Sequence, residues 1–428
     1  MNPGFGQILL DVHKEAIEVI IINLKKDSFL MSYQNYNRRP NQRRQRSYNA
    51  KPNNRRRSKE NIHPSRFVSS AKQTIDSPAY EPKNMFSDFN IHQLFKDNLK
   101  RKGIDSPSPI QDQTIPLGLA SQDIIGTANT GTGKTIAFAV PILQRLMTDR
   151  NSKALIMAPT RELANQIEEE CRTIAKGSGL YGAVLIGGAS IGPQLRDLRA
   201  NPSIVIGTPG RIKDHIDRGS LNIKRFNIVV LDEVDRMLDM GFVHDMRLIL
   251  GQISSDNRQS FFFSATLDKK VNNLIQEFSN NPVTISVKTG ITADSVEQDI
   301  VKYQSNKQKI EKLHELLIKD EISKVLVFDE TQRNVEKLSK ELVQRGFSVD
   351  AIHGGKSQSQ RQRALNKFKK SEINVLVATD VAARGIDVND ISHVINYSTP
   401  QTFNDYIHRI GRVGRAGKLG YALTFVEN

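Results

Sequence analysis

A chain of 428 residues with 38% hydrophobic and 25% charged residues is too long for one ordinary domain and fits two plus a tail. Its formal net charge of +15 favours a polyanionic partner, nucleic acid above all. Cys171, the only cysteine, excludes an internal disulfide and a four-cysteine metal site and points to a reducing, cytoplasmic setting. The longest apolar stretch near the start, Val19 to Leu24, is far short of the roughly 20 residues of a membrane span and lacks a signal-peptide cleavage site, so no membrane association is expected.

Residues 1–30 form a segment of uncertain character. Leu9, Leu10, Ile17, Ile20 and Ile21 suit a short amphipathic helix, but Met31 opens an abrupt change of composition and is an alternative start. Residues 31–84 are rich in Asn, Arg, Gln, Ser and Pro, and the first 85 residues hold 16 Lys/Arg against 7 Asp/Glu. Arg38, Arg39, Arg43, Arg44, Arg46 and Arg55–Arg57 repel one another with no core to bury, so this stretch reads as a disordered basic arm. It serves either as a passive linker or as a nonspecific RNA tether, with Tyr33, Tyr36 and Tyr48 free to stack on bases.

From about residue 85, short β-branched runs alternate with helical segments. One series runs Asp123–Gly126, Ala154–Ala158, Ala183–Ile186, Ser203–Ile206, Asn227–Leu231, Ser260–Phe263 and Val283–Val287. A second runs Val325–Phe328, Ser348–Ile352, Asn374–Ala378, His393–Asn396 and Tyr421–Phe425, after a weaker stretch near Lys288–Gln298. Continuous apolar strands separated by helices predict α/β domains with mostly parallel sheets covered on both faces. The expected division is 85–290 and 291–428, with ligands at the carboxyl ends of the strands.

The first strand runs into Ala128-Asn129-Thr130-Gly131-Thr132-Gly133-Lys134-Thr135 and then a helix, the setting of a phosphate-binding loop. Gly131 and Gly133 admit phosphates to backbone N–H groups, Lys134 reaches the β/γ-phosphates, and Thr135 sits on Mg²⁺. Ala128 stands where the strict pattern has glycine. The strand Ile228–Leu231 delivers Asp232-Glu233-Val234-Asp235; Asp232 suits a Mg²⁺ ligand, mostly through water, and Glu233 suits the attacking water. Near the end, His408-Arg409-Ile410-Gly411-Arg412-Val413-Gly414-Arg415 offers arginines three apart for a γ-phosphate. The lysine and these arginines fall in different domains, so the chemistry requires the domains to close.

The order of these motifs resembles the DEAD-box RNA helicases of helicase superfamily 2 over roughly residues 86–426. The resemblance implies two tandem RecA-like domains and an RNA-dependent ATPase using ATP and Mg²⁺. Phe86 and Gly103–Gln111 look like the isolated aromatic and the Q motif, implying that Phe86 or Ile104 packs on adenine and Gln111 reads its edge. Pro159-Thr160-Arg161-Glu162-Leu163, Gly187-Gly188 and Thr208-Pro209-Gly210-Arg211 are similar to the family's first-domain RNA contacts. Ser264-Ala265-Thr266 matches the motif coupling hydrolysis to unwinding, with Asp235 closing the acidic motif. In the second domain Phe328 and Thr331 resemble the fourth motif, with Thr331 implied on RNA, and His353-Gly354-Gly355 and Gln360–Arg363 resemble the neighbouring RNA-contacting elements. Ala378 to Asp387 resembles the fifth motif, placing Thr379 on RNA and Asp387 on the ribose. Within His408–Arg415 the implied fingers are Arg412 and Arg415. Val234 and Val413 replace the family's usual alanine and threonine. The implied partner is single-stranded or short duplex RNA, held without sequence preference; an ATP-gated RNA clamp and a DNA helicase are the competing readings.

Overall fold

The computed structural model describes residues 62–71, 80–128, 131–287, 296–383, 388, 390–414 and 419–428. The segment 1–30, the arm up to residue 61, Asn129, Thr130, Asp387 and Arg415 lie outside the described residues. The first sheet has seven parallel strands in the order β3-β4-β2-β5-β6-β1-β7. These are β1 (Ile124–Thr127), β2 (Ala154–Met157), β3 (Gly182–Leu185), β4 (Ile204–Gly207), β5 (Ile228–Leu231), β6 (Gln259–Ser264) and β7 (Val283–Ser286). The second sheet has the order β10-β11-β9-β12-β13-β8, again parallel. Its strands are β8 (Val296–Tyr303), β9 (Val325–Phe328), β10 (Val349–Ile352), β11 (Val375–Ala378), β12 (His393–Asn396) and β13 (Gly420–Glu427).

Side-chain alternation explains why the central strands read as unbroken apolar runs. On β5, Ile228 and Val230 face one core layer while Val229 and Leu231 face the other; Phe261 and Phe263 oppose Phe262 on β6 in the same way. Both faces are buried under helices, so neither can be polar. The helices of the first lobe are α1 (Gln93–Arg101), α2 (Pro109–Leu119), α3 (Lys134–Thr148), α4 (Arg161–Ile174), α5 (Ile191–Arg199), α6 (Pro209–Asp217), α7 (Val234–Asp239), α8 (Val243–Leu250) and α9 (Lys269–Glu277). Those of the second are α10 (Asn306–Leu317), α11 (Gln332–Gln344), α12 (Gln358–Lys369), α13 (Asp380–Ala383) and α14 (Phe403–Ile410).

Two features depart from the sequence reading. Strand β8 lies within and beyond the stretch read as weak, because it is an edge strand with only Val296 and Gln298 buried. Its exposed Asp299 and charged Lys302 are the polar residues by which edges avoid pairing with other chains. The second departure is in the arm. Expected to be disordered through residue 84, it is folded at 62–71 and 80–84. Ile62 and Phe67 are buried in the second lobe, and a 3₁₀ turn spans Pro64–Phe67. In the first lobe Asp112 accepts hydrogen bonds from the Tyr80 hydroxyl (2.6 Å), Lys83 N (2.7 Å), Asn84 N (3.2 Å) and Asn84 Nδ2 (2.8 Å). Two buried apolar side chains and one buried carboxylate outweigh a polar, basic local composition. The expected boundary between residues 290 and 291 falls in the stretch 288–295, outside the described residues.

Candidate nucleotide site and inter-lobe cleft

Strand β1 ends where the phosphate loop begins, and Ala128 N donates to Ser264 O at 3.2 Å, tying the loop to the end of β6. Ala128 is not among the residues with positive φ, which is why alanine serves where the strict motif has glycine. Gly133 is different: its φ is +89°, and a Cβ there would lie 2.2 Å from Gln111 Nε2. Only glycine lets the loop turn into α3 against that amide. Lys134 opens α3, is 7% exposed, and donates through Nζ to Ala128 O at 3.0 Å. Thr135 follows it, half-buried.

Gln111 is tied into the same loop. Its Nε2 donates to Gly133 O at 3.1 Å and its Oε1 accepts from Ser108 N at 2.9 Å, while Ser108 Oγ donates to Thr132 O at 2.7 Å. An amide has a second N–H and a second lone pair, so Gln111 can hold the loop and still pair with a purine edge. Phe86 is buried in the first-lobe core edge-on to Phe89, 5.7 Å between centroids. Ile104 is partly buried against the same core.

The acidic motif sits at the carboxyl end of β5. Asp232 is 2% exposed, and burial, reinforced by Glu233 and opposed by Lys134, pushes its carboxyl up to about 6. Burial likewise raises Asp235, again against the pull of Lys134. Glu233 caps α7 with φ 54° and ψ 55°, left-handed backbone that a β-carbon disfavours by roughly 1–2 kcal/mol. Its Oε2 lies 3.3 Å from Arg236 Nε. Asp235 Oδ2 accepts from Thr266 N and Thr266 Oγ1, both at 3.3 Å, and Ser264 Oγ donates to Thr266 O at 2.6 Å. The acidic motif and the Ser264–Thr266 motif are therefore physically linked, through Asp235. Val234 points away into the core below the sheet.

Among the described residues, no three acidic, histidine or cysteine side chains are placed to hold a metal by themselves. Buried carboxyls held up by desolvation, with Thr135 on the loop, still fit Mg²⁺. Such an ion takes only one or two protein oxygens when phosphates and water supply the rest.

A cleft of about 520 Å³ is lined from both lobes, and most of the expected RNA contacts converge on it: Pro159, Thr160, Arg161, Thr208, Gly210, Arg211 and Gly354. Gly188, with φ +71°, stands beside it, and a Cβ there would lie 2.0 Å from Arg161 Nη1. Thr331 and Thr379 do not line it. Thr331 caps α11, its Oγ1 accepting from Asn334 N at 3.1 Å, and Thr379 is buried at the end of β11.

Among the described residues, a contact that joins the lobes here has no local signal in the sequence. Arg361 Nη2 lies 2.7 Å from Glu162 Oε2 and Gln358 Nε2 donates to Glu162 Oε1 at 3.4 Å. The stretch singled out, Gln360–Arg363, contains the arginine but not the glutamine, which lies one helical turn earlier. Burial pushes Glu162 up and Arg361 down, in each case against the partner's charge. Desolvation outweighs attraction on both sides, so the pair specifies a position more than it binds the lobes together.

On the second lobe, α14 carries the arginine motif. Arg409 is fully engaged: Nε and Nη2 donate to Asp380 at 2.6 and 2.8 Å, and Nη1 donates to Ser398 O at 2.7 Å and Asn396 Oδ1 at 3.3 Å. It anchors the helix. His408 is half-buried; Arg412 is 4% exposed, two residues past the helix end.

Two parallel RecA-like sheets in tandem, the first bearing a phosphate loop, are the architecture of a two-lobed P-loop ATPase. Residues 108–274 match the family model for DEAD/DEAH box helicases, and residues 308–417 match that for the helicase conserved C-terminal domain. The chain is 43% identical over 343 residues to the DEAD-box ATP-dependent RNA helicase CshA of Bacillus licheniformis, covering 80% of this chain and 70% of that protein. To CshA of Listeria monocytogenes it is 44% identical over 344 residues, covering 80% and 66%. Among solved structures, Mss116p bound to single-stranded RNA and AMP-PNP superposes with a TM-score of 0.73 at 30% identity, covering 82% of this chain and 77% of that one. Dbp5 of S. cerevisiae bound to RNA and ADP BeF3 gives 0.71 at 28% identity, covering 80% and 89%. The chain belongs to the DEAD-box family of ATP-dependent RNA helicases.

Proposed function

We propose that this chain couples ATP binding and hydrolysis to local opening of RNA duplexes and to remodelling of RNA–protein contacts. The observation that carries this reading is the division of the chemistry. Lys134, Asp232 and Glu233 lie on the first lobe, Arg412 lies on the second, and a cleft is lined from both.

The phosphates of ATP are received by the loop Ala128–Thr135, including Asn129 and Thr130, with Lys134 supplying the positive charge. Thr135 and Asp232 would hold Mg²⁺, and the ion when bound would neutralise charge on the phosphates. Gln111 reads the adenine edge beside Ile104 and Phe86, and Asp387 takes the ribose. Glu233 orients the attacking water and receives its proton. Charge spreading over the γ-phosphoryl oxygens is met by Arg412 and Arg415, with His408 alongside.

RNA lies in the cleft against Pro159, Thr160, Arg161, Thr208, Gly210, Arg211 and, on the second lobe, Gly354, and continues beyond it past Gly188, Thr331 and Thr379. These groups suit sugar–phosphate contacts, which position a strand without reading it. The basic arm adds nonspecific affinity that weakens with salt. No helix among the described residues is long and apolar enough to cross a membrane, and we place the protein in the cytoplasm.

The test is phosphate release with and without RNA, together with displacement of a short RNA duplex. RNA should raise hydrolysis several-fold and ATP should drive displacement; equal rates with and without RNA defeat the coupling. The Thr266–Asp235 bond gives a sharper expectation. Thr266→Val keeps shape but loses the hydroxyl contact to Asp235, so displacement should fall roughly tenfold while RNA-stimulated hydrolysis stays within about threefold. Equal loss of both activities would put Thr266 in the hydrolytic site instead.

A further inference from the structure

Residues 62–71 precede the first lobe in sequence, yet they complete the second. Phe67 is 1% exposed and stands edge-on to Tyr406, 4.8 Å between ring centroids. The Arg66 guanidinium lies 3.7 Å from the ring centroid of Phe403. Backbone pairing holds the segment to the outer strand of the sheet: Ser69 and Gln298 exchange N–H···O bonds of 3.0 and 2.9 Å. Ala71 N donates to Glu297 Oε2 at 2.7 Å. Gln298 closes the circuit, its Oε1 accepting from the Tyr406 hydroxyl at 2.8 Å.

Phe403 and Tyr406 sit three apart on α14, one face of the helix that leads to Arg412. Arg409, on another face, is held by Asp380, Asn396 and Ser398. An eight-residue helix is too short to fix its own placement, so the groups gripping its faces decide where its end points. Blunting the edge of β8 would need only the backbone bridge. The two side chains that reach past that edge to α14 do something more.

We propose that Ile62–Ala71 is a positioning element of the ATPase, setting the orientation of α14 and so of Arg412 by packing Arg66 and Phe67 on Phe403 and Tyr406. This inference rests on the assignment of Arg412 to the γ-phosphate made above.

The experiment uses full-length protein carrying Phe67→Ala, Phe67→Leu, or Arg66→Ala with Glu297→Ala; the double variant loosens the segment without opening a cavity. Hydrolysis at saturating RNA and the affinity of a fluorescent ATP analogue without RNA are measured for each. A misaimed arginine should lower kcat about tenfold in Phe67→Ala, and by about threefold in the double variant. Phe67→Leu should recover most of the rate, with RNA-free nucleotide affinity within about twofold of the parent throughout, since the first lobe supplies it. Parent-like kcat in both Phe67→Ala and the double variant overturns the proposal. Should Phe67→Ala unfold the second lobe, the double variant decides alone, and an unchanged kcat overturns it. Arg412→Ala runs alongside: if it keeps the parent rate, the arginine assignment falls; if it loses the rate while the segment variants keep theirs, only the positioning claim falls.

Discussion

Replacing Lys134 by alanine is expected to lower RNA-stimulated kcat by roughly 10²–10³-fold or more, the scale seen when a preorganised charge partner is removed from a dry site. Two losses fall on one residue. The phosphates lose the cation at the head of α3, and the carboxyls of buried Asp232 and half-buried Asp235 lose the charge that opposes their desolvation. Both carboxyls then hold their protons more tightly, which weakens any hold on Mg²⁺. Phosphate release at saturating RNA and titration with a fluorescent nucleotide should both fail in the variant. A rate within about tenfold of the parent, beyond what preorganisation of this kind allows, would remove Lys134 from the site.

Arg412→Ala should be as damaging to turnover and far milder to binding. Arginine fingers contribute about 10³–10⁵ in rate because they act on charge that appears only as the phosphoryl group transfers. With RNA present kcat should drop about 10³-fold, whereas RNA-free affinity for nucleotide, set by the first lobe, should move less than about threefold. Proportional loss of both would mean that Arg412 binds the ground state. The neighbouring Arg409 offers no such finger, since Asp380, Asn396 and Ser398 already take its donors.

The parts of the molecule legible in the sequence are those where burial leaves one chemical solution. Strands β2, β5, β9 and β11 must be apolar on both faces, so Ala154–Met157 and Val375–Ala378 stand out against polar surroundings. The phosphate loop and Asp232–Asp235 stand out for the opposite reason, as polar groups that no core would tolerate at strand ends. What escaped is long-range. Nothing local marks β8 as a strand, because its edge position rewards Glu297, Asp299 and Lys302 over apolar residues. Phe67 sits among arginines and serines, and its burial depends on Tyr406, distant in sequence but supplied by the second lobe. Glu162 looks like an ordinary acidic residue in the first turn of α4 until Arg361 closes over it from the other lobe. Phe86, which the resemblance gives to adenine, is also buried edge-on against Phe89, a contact that nothing local in the sequence marks.

Nucleotide and RNA together are expected to bring the two lobes to one active arrangement. Burial leaves Cys171 4% exposed and pushes its thiol well up, so it does not compete with introduced cysteines for maleimide dyes. Energy transfer between dyes at exposed positions on the two lobes, Ser255→Cys and Lys340→Cys, then reads the interlobe distance in four states: free, with RNA, with a nonhydrolysable ATP analogue, and with both. One narrow distance distribution is expected with both ligands, and a broader or different one in the other three. The same distribution in all four states, in a protein whose hydrolysis is still stimulated by RNA, would contradict that expectation.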